Sequence, residues 1–377
     1  MIYLGYFVKR AGYRIINMQN RLLIIILILL IAIPGISQDT FPEKSEIKKA
    51  KTASIIGVGD IMLGTDYPSR AFLPRNNDCN YLLNDVYEIL NSADVTFGNL
   101  EGCFLDNGEV FKKCRDTTKC YVFKMPEKYA KSLSKAGFDI LSLANNHAGD
   151  FGPKGLDKTK ELLDSLDIKY AGIHSIPYSI FTKNGLKYGF CAFSPNYGNS
   201  SINNLEVSTN IIKQLDKLCD IIIVSFHGGA EGQEHEHVTR KQETYYGENR
   251  GNVYKFAHNA VDAGADIIFG HGPHVTRAID LYKERFIIYS LGNFITYARF
   301  NISGVYGVSP IIKLTVDNKG KFLEGEIVST FQTYEKGIQI DSLKRVIKKV
   351  QELTKADFPE INLDITNNGI IKYKNAL

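Results

Sequence analysis

Tryptophan is absent from this chain of 377 residues, and aromatic bulk comes from 21 tyrosines and 21 phenylalanines instead. An excess of either charge is also lacking: 45 Lys and Arg against 41 Asp and Glu leave only +4 at pH 7. No segment clusters Lys or Arg with interleaved aromatics, which argues against nucleic acid as a partner. No CxxC pair occurs, and no His lies near the cysteine-rich stretch 103–120, which argues against a zinc knuckle there. No internal repeat points to a solenoid, and no low-complexity tract interrupts the chain. What remains, 44% hydrophobic and 23% charged, is the composition of an ordinary globular protein. Its length suits one sizeable domain or two small ones.

Long apolar runs are scarce too, and the one exception lies near the N-terminus. In "RLLIIILILLIAIPGISQDT", Arg21 precedes an unbroken apolar run from Leu22 to Ile33, then Pro34 and Gly35. Lys9, Arg10 and Arg14 lie upstream. A basic flank, a short apolar core and a small-residue exit read as a secretory signal. The run is shorter than the ~20 residues a spanning helix takes. Extending it to Ile36 leaves an uncleaved anchor open. No Cys follows closely, which argues against a lipoprotein anchor. Residues 1–37 are therefore read as signal peptide or membrane anchor and 38–52, polar and rich in Lys and Glu, as a linker. Residues 53–335 are the main domain, and 336–377 a C-terminal helix and tail. The basic flank stays inside, so the domain is expected at the extracytoplasmic face of the membrane, in the periplasm, or secreted. In an oxidising compartment a disulfide within Cys103, Cys114 and Cys120 is expected, with Cys79 a further candidate and the connectivity open. Cys191 and Cys219 sit in apolar contexts as small buried hydrophobes.

One cadence then recurs. "SADVTFGNLE" (92–101), "AGFDILSLANNH" (136–147), "LCDIIIVSFH" (218–227) and "AGADIIFGH" (263–271) each leave a helical pattern and pass an Asp. Each continues through a short apolar run rich in β-formers and exits on a polar residue. "RFIIYSLGNF" (285–294) is a close variant. The stretches 125–138, 152–168 and 249–265 carry apolar residues at helical spacing. "SLKRVIKKVQELTKA" (342–356) is a terminal amphipathic helix, and "DNKGK" between two apolar runs marks a β-hairpin over 307–331. Alternating strands and helices predict an α/β fold with helices covering the sheet, and near-continuous apolar strands predict burial on both faces.

Ligands of open α/β folds bind beyond the carboxyl ends of the strands. Those ends here carry Asp60, Glu101, Asn146, His147, His227, His271 and Asn293. Carboxylates and imidazoles suit Zn, Mn or Fe, and the amide adds tolerance for Mg or Mn. The pattern predicts one or two divalent ions, with Asn146 a neutral oxygen ligand and His147 left to donate a proton. His235 and His237 lie in a polar run and read as a solvated loop. His174 and His258 lie off the strand ends and read as ordinary surface or packing residues.

The series "GVGDIMLG", "GNLEG", "SLANNHAGDFG", "HGGAEG", "GADIIFGHGPHV" and "IIYSLGNF" resembles, in order, the motifs of the capsule-biosynthesis CapA family of poly-γ-glutamate synthesis type. That family is similar in fold to the calcineurin-like metallophosphatases. The resemblance runs from about Ile55 to Ile295. It implies a sandwich of mixed sheets flanked by helices. It further implies metal ligands Asp60, Glu101, Asn146, His227, His271 and His274, with His147 as general acid. Asn99, Glu231 and Asn293 are the implied substrate contacts. Three departures stand out: Met62 replaces a ligand His, Glu101 a bridging Asp, and Gly228 an aromatic. The function implied is that of an exported metal-dependent hydrolase-like protein in capsule or poly-γ-glutamate biosynthesis. It would act on an anionic surface polymer or its precursor, beside membrane synthase subunits. The alternative is a non-catalytic polymer-binding or export component of such a complex.

Overall fold

The computed structural model describes residues 51–113 and 120–374. The signal or anchor segment, the linker up to Ala50, and Cys114 lie outside the described residues. Six strands carry the argument: β1 (Thr52–Met62), β2 (Val95–Leu100), β3 (Ile140–Ser142), β4 (Ile221–His227), β5 (Ile267–His271) and β6 (Asn293–Thr296). Every residue of β2, β3, β4, β5 and β6 is buried. Their side chains are mostly β-branched or aromatic, which suits a pleated surface covered on both faces.

These six strands belong to the two large sheets, beside which the described residues form two small two-stranded ones. In the ten-stranded sheet, β1 lies between β2, which runs parallel, and Val308–Asp317, which runs antiparallel. Beyond β2 come β3 and Lys169–Ala171, both parallel; beyond Val308–Asp317 comes its hairpin partner Phe322–Thr333. In the six-stranded sheet, Leu186–Phe193, β4, β5 and Arg285–Ile288 are parallel, and Tyr178–Lys183 and Ile279–Tyr282 close the edges antiparallel. The sheets meet through aromatic rings. Phe97 on β2 stacks on Phe269 of β5 at 5.0 Å and touches Phe190 at 5.7 Å. Such contacts add to the hydrophobic burial that drives sheet packing.

Helices lie where the spacing places them at Ala130–Lys135, Gly152–Ser165, Val253–Asp262 and Arg345–Asp357, and a further helix spans Leu205–Asp216. Asn204 and Asn252 cap two of them, each side-chain oxygen accepting from the backbone N–H three residues on. Residues 336–377, read in the sequence as helix and tail, also contribute strands Gly337–Ile340, Leu363–Ile365 and Ile370–Tyr373 to the larger sheet. Among the described residues no helix is long and apolar enough to cross a membrane.

Register does the rest. Asp60 on β1 stands opposite Asn99 on β2 and opposite Asn293 on β6, while His227 on β4 stands beside His271 on β5. Strand ends from both sheets thus open at one edge of the sandwich.

Candidate metal centre and its cavity

The centre is built around Asp60. A Cβ on Gly59 would lie 1.9 Å from the carbonyl oxygen of Gly292, so only glycine lets β1 come this close to the turn at 291–293. The approach is closed by the Asp60 N–H donating to Gly292 O at 2.9 Å. The Asp60 carboxylate is fully buried. Its Oδ1 accepts from Asn99 Nδ2 at 2.8 Å and meets His271 Nδ1 at 3.2 Å; its Oδ2 meets His274 Nδ1 at 3.0 Å. Burial raises the Asp60 pKa, but the His271 and His274 hydrogen bonds outweigh it and hold the carboxyl well below the usual carboxylate range. Burial lowers the His274 pKa, yet the Glu101 and Asp60 carboxylates raise it to about 10.

Glu101 follows β2 and is equally buried, with neither carboxylate oxygen hydrogen-bonded. Burial, and then the charge of Asp60, push its pKa well above the ordinary value. Asp60, Glu101 and His274 each offer a ligand atom, and these atoms lie within 4.8 Å of one another. His271 touches Asp60, and its Nε2 is buried without a partner. His227 Nδ1 and Asn146 Oδ1 are likewise buried without partners. Burial, and then the Arg250 guanidinium, lower the His227 pKa well below the ordinary value, keeping the ring neutral as a ligand must be. A buried polar atom without a partner costs roughly 1–3 kcal/mol. The five such atoms of Glu101, Asn146, His227 and His271 therefore describe a site whose partner is not protein. Carboxylate, imidazole and carboxamide oxygen together fit a divalent cation.

The amides and imidazole beyond β3 divide the work. Asn145 is structural: its Nδ2 donates to Asn99 Oδ1 and Leu100 O, and its Oδ1 accepts from the N–H groups of His147 and Ala148. Asn146 lines the cavity. His147 Nδ1 meets Asp150 Oδ2 at 2.7 Å, and Phe123 packs against the ring at 4.2 Å. Asp150 also accepts from the Phe123 N–H at 2.8 Å and pairs with Lys112 at 3.1 Å. With Nδ1 committed, Nε2 is the nitrogen left for chemistry. Burial lowers the His147 pKa, Asp150 opposes this, and Lys112 adds to it.

The candidate substrate contacts part company. Asn99 is fully buried, and both ends of its amide are used by Asp60 and Asn145. Asn293 Oδ1 meets His274 Nδ1 at 3.1 Å and its Nδ2 donates to Asn301 O and Tyr306 O, while the residue lines the cavity. Glu231 is half-buried on the same cavity wall, paired with Arg250 at 3.0 Å. Met62 lies in the hydrophobic core, its sulfur accepting from the Gly64 N–H at 3.3 Å.

Outside the centre, His237 is exposed and pairs with Asp357 at 2.7 Å, and His174 is exposed. His258 pairs with Asp280 at 2.8 Å between the rings of Tyr254 and Tyr282. Cys120 is disulfide-bonded, whereas Cys79, Cys103, Cys191 and Cys219 are free thiols. Sequence reasoning missed Asp150, Lys112 and Arg250. Asp150 stands three residues after His147 in the same motif and was within reach of that reasoning. Arg250 arrives from a separate hairpin, where no spacing announced it.

The profile of the family "Bacterial capsule synthesis protein PGA_cap" matches residues 54–298. The chain is 30% identical to the capsule biosynthesis protein CapA of Bacillus anthracis over 259 residues, 63% of this chain and 58% of that one. It is 28% identical to the PGA biosynthesis protein CapA of Bacillus subtilis over 274 residues, 67% of each. The match thus spans about three-fifths of the B. anthracis relative. Among solved structures, a hypothetical protein from Thermus thermophilus aligns with a TM-score of 0.45 at 14% identity, over 73% of this chain and 98% of that one. A putative 5'-nucleotidase from Staphylococcus aureus aligns at 0.43 and 17% identity, over 84% of this chain and 60% of that one. On the family match, which covers well over half of its residues, the chain belongs to the bacterial capsule synthesis protein PGA_cap family.

Proposed function

We propose that this protein is an extracytoplasmic metal-dependent hydrolase of surface-polymer biosynthesis, with a centre of the calcineurin-like metallophosphatase kind. The observation that carries the reading is the set of buried ligand-type atoms around Asp60 that no protein group hydrogen-bonds. Asp60, Glu101, Asn146, His227, His271 and His274 would hold one or two divalent ions. When bound, such ions supply Lewis-acid polarisation and a nucleophile at neutral pH. The chain's own residues do the remainder. Asn99 orients Asp60, and Asn293 orients His274. Asp150 accepts the Nδ1 proton of His147 and so directs Nε2 at the cavity; the imidazolium form, which Asp150 favours against burial, would donate the Nε2 proton to the leaving group of a phosphoester or amide-type bond. Glu231 and Asn293 face the substrate. Capsule-polymer chemistry, poly-γ-glutamate or another anionic polymer or precursor, rests on the family. Export rests on the basic flank and apolar run before Pro34, and the Cys120 disulfide supports it. Membrane synthase subunits are the proposed partners.

A second reading is favoured by one observation. Met62 occupies a ligand position of the related phosphatases, yet its side chain serves the core. On that reading the domain binds or exports polymer without cleaving it.

Elemental analysis and hydrolysis of chromogenic phosphoesters and γ-glutamyl oligomers, run side by side, separate the two. The hydrolase reading expects bound metal and turnover in the wild type. It expects metal lost in an Asp60→Ala/His227→Ala double variant, and metal retained but turnover abolished in His147→Ala. Metal without turnover supports the binding reading, and no metal after reconstitution refutes the hydrolase reading and leaves a binding module.

A further inference from the structure

In front of the centre lies a cavity of about 840 Å³ whose walls are aromatic rather than cationic. Tyr197 stands fully exposed on its wall and Tyr246 is 80% exposed. Tyr121, Tyr245, Phe300 and Tyr306 continue the lining. Tyr121, Tyr197 and Tyr246 thus leave ring faces open on one cavity, and covering them would favour a ligand with an apolar face of its own.

Charge on the walls is balanced. Lys112, Arg250 and Arg299 face Asp150, Glu231 and Glu248. Lys112 is bound to Asp150 and Arg250 to Glu231. Arg299 lies over the rings of Tyr121 at 4.9 Å and Phe72 at 5.2 Å, and its Nε is buried without an acceptor. Away from the metal centre, a chain carrying a free carboxylate on every unit would meet on these walls one cation with a donor to spare and unneutralised acid beside it. Asn196, on the same wall, presents a buried carboxamide oxygen without a donor. That oxygen needs a donor, which a sugar offers at each ring hydroxyl and a γ-glutamyl chain only at its amide N–H.

We propose that the cavity takes a sugar phosphoester: a pyranose ring laid on Tyr197, a ring hydroxyl donating to Asn196, and a single phosphoryl group served by Arg299 and the centre. The polarised C–H face of a pyranose matches the negative face of a tyrosine ring, and its hydroxyl edge matches the asparagines. The inference rests on the hydrolase reading only for the phosphoryl group. The ring contacts need no cation.

The test uses the full chain, once stripped with EDTA and once loaded with Mn2+. The 1-phosphates of glucose, galactose, mannose and N-acetylglucosamine are compared with tetra-γ-glutamate by calorimetry and saturation-transfer NMR. At least one hexose phosphate should bind in both forms, with saturation on its ring C–H protons. Tetra-γ-glutamate should bind at least about tenfold more weakly, and Tyr197→Ala should weaken the sugar by about tenfold. Because Tyr197 is fully exposed, that variant keeps the fold. The proposal is overturned if no hexose phosphate binds, if tetra-γ-glutamate binds more tightly than all of them, or if Tyr197→Ala changes nothing. Sugar binding without any turnover sinks the hydrolase reading alone. Turnover of plain phosphoesters without sugar binding sinks this proposal alone.

Discussion

Glu101→Gln separates a metal ligand from a structural carboxylate. Glu101 is fully buried, neither oxygen is hydrogen-bonded, and the groups facing it are Asp60, His274, Glu231 and Arg250. In the metal-free protein its charge is a liability, because burial and then Asp60 oppose ionisation. Folding raises its pKa above the ordinary 4.5, so the folded protein keeps a proton that the unfolded chain releases. Stability without metal therefore falls as pH rises from about 4.5 toward the folded pKa, at up to ~1.4 kcal/mol per pH unit. Gln removes that contribution. His274, raised to about 10 with the Glu101 charge the largest raising cause, loses its own stability contribution between pH 6.5 and 10 in the wild type, and Gln narrows that window by removing the charge. With metal at a hundred times its dissociation constant, the wild type gains about 2.7 kcal/mol. In a domain of about 300 residues that is a rise of roughly 4 °C in Tm. The assay is a thermal melt at pH 5 and pH 7 in EDTA and in excess Mn2+. Glu101→Gln should melt no lower than the wild type in EDTA at pH 7, and it should lose most of the metal-induced rise. Full retention of that rise, or an EDTA midpoint several degrees below the wild type, would refute Glu101 as a ligand.

Asp150→Asn leaves the His147 ring packed on Phe123 but replaces the carboxylate at its Nδ1 by a neutral carboxamide, which neither fixes the tautomer nor favours the imidazolium. Turnover should drop by about 10²–10⁴-fold with metal content unchanged, measured by steady-state kinetics beside elemental analysis. Arg277→Ala tests the scaffold: Arg277 is fully buried and holds both Glu243 oxygens at 3.0 and 2.8 Å. Stranding that carboxylate should cost about 3–5 kcal/mol, read from urea denaturation, whereas an unchanged midpoint would show that Glu243 reaches water.

Much of the site is local in origin and therefore legible in the chain. Asn146 and His147 follow the buried run at β3 because a strand must end where polar groups begin, and His227 and His271 close β4 and β5 for the same reason. The helices over 152–165 and 253–262 follow from apolar spacing, the first with Pro153 in its opening turn and the second with Asn252 as cap. Asn99 looked like a substrate contact because it precedes Glu101 at the same strand end. Pairing opposite Asp60 commits its amide inside the protein instead, and no periodicity records a hydrogen-bond partner 39 residues away. The C-terminal strands were invisible for a similar reason: short segments such as Leu363–Ile365 gain their structure from the sheet they join. The sequence by itself determined which residues end the strands and hence what chemistry the sandwich edge can hold. Only the tertiary structure decided that Arg250 stands against His227, that Met62 turns into the core, and that tyrosines far apart in the chain wall one cavity. Strand ends are set by local pattern, whereas these contacts depend on how the two sheets pack and how distant loops close over them.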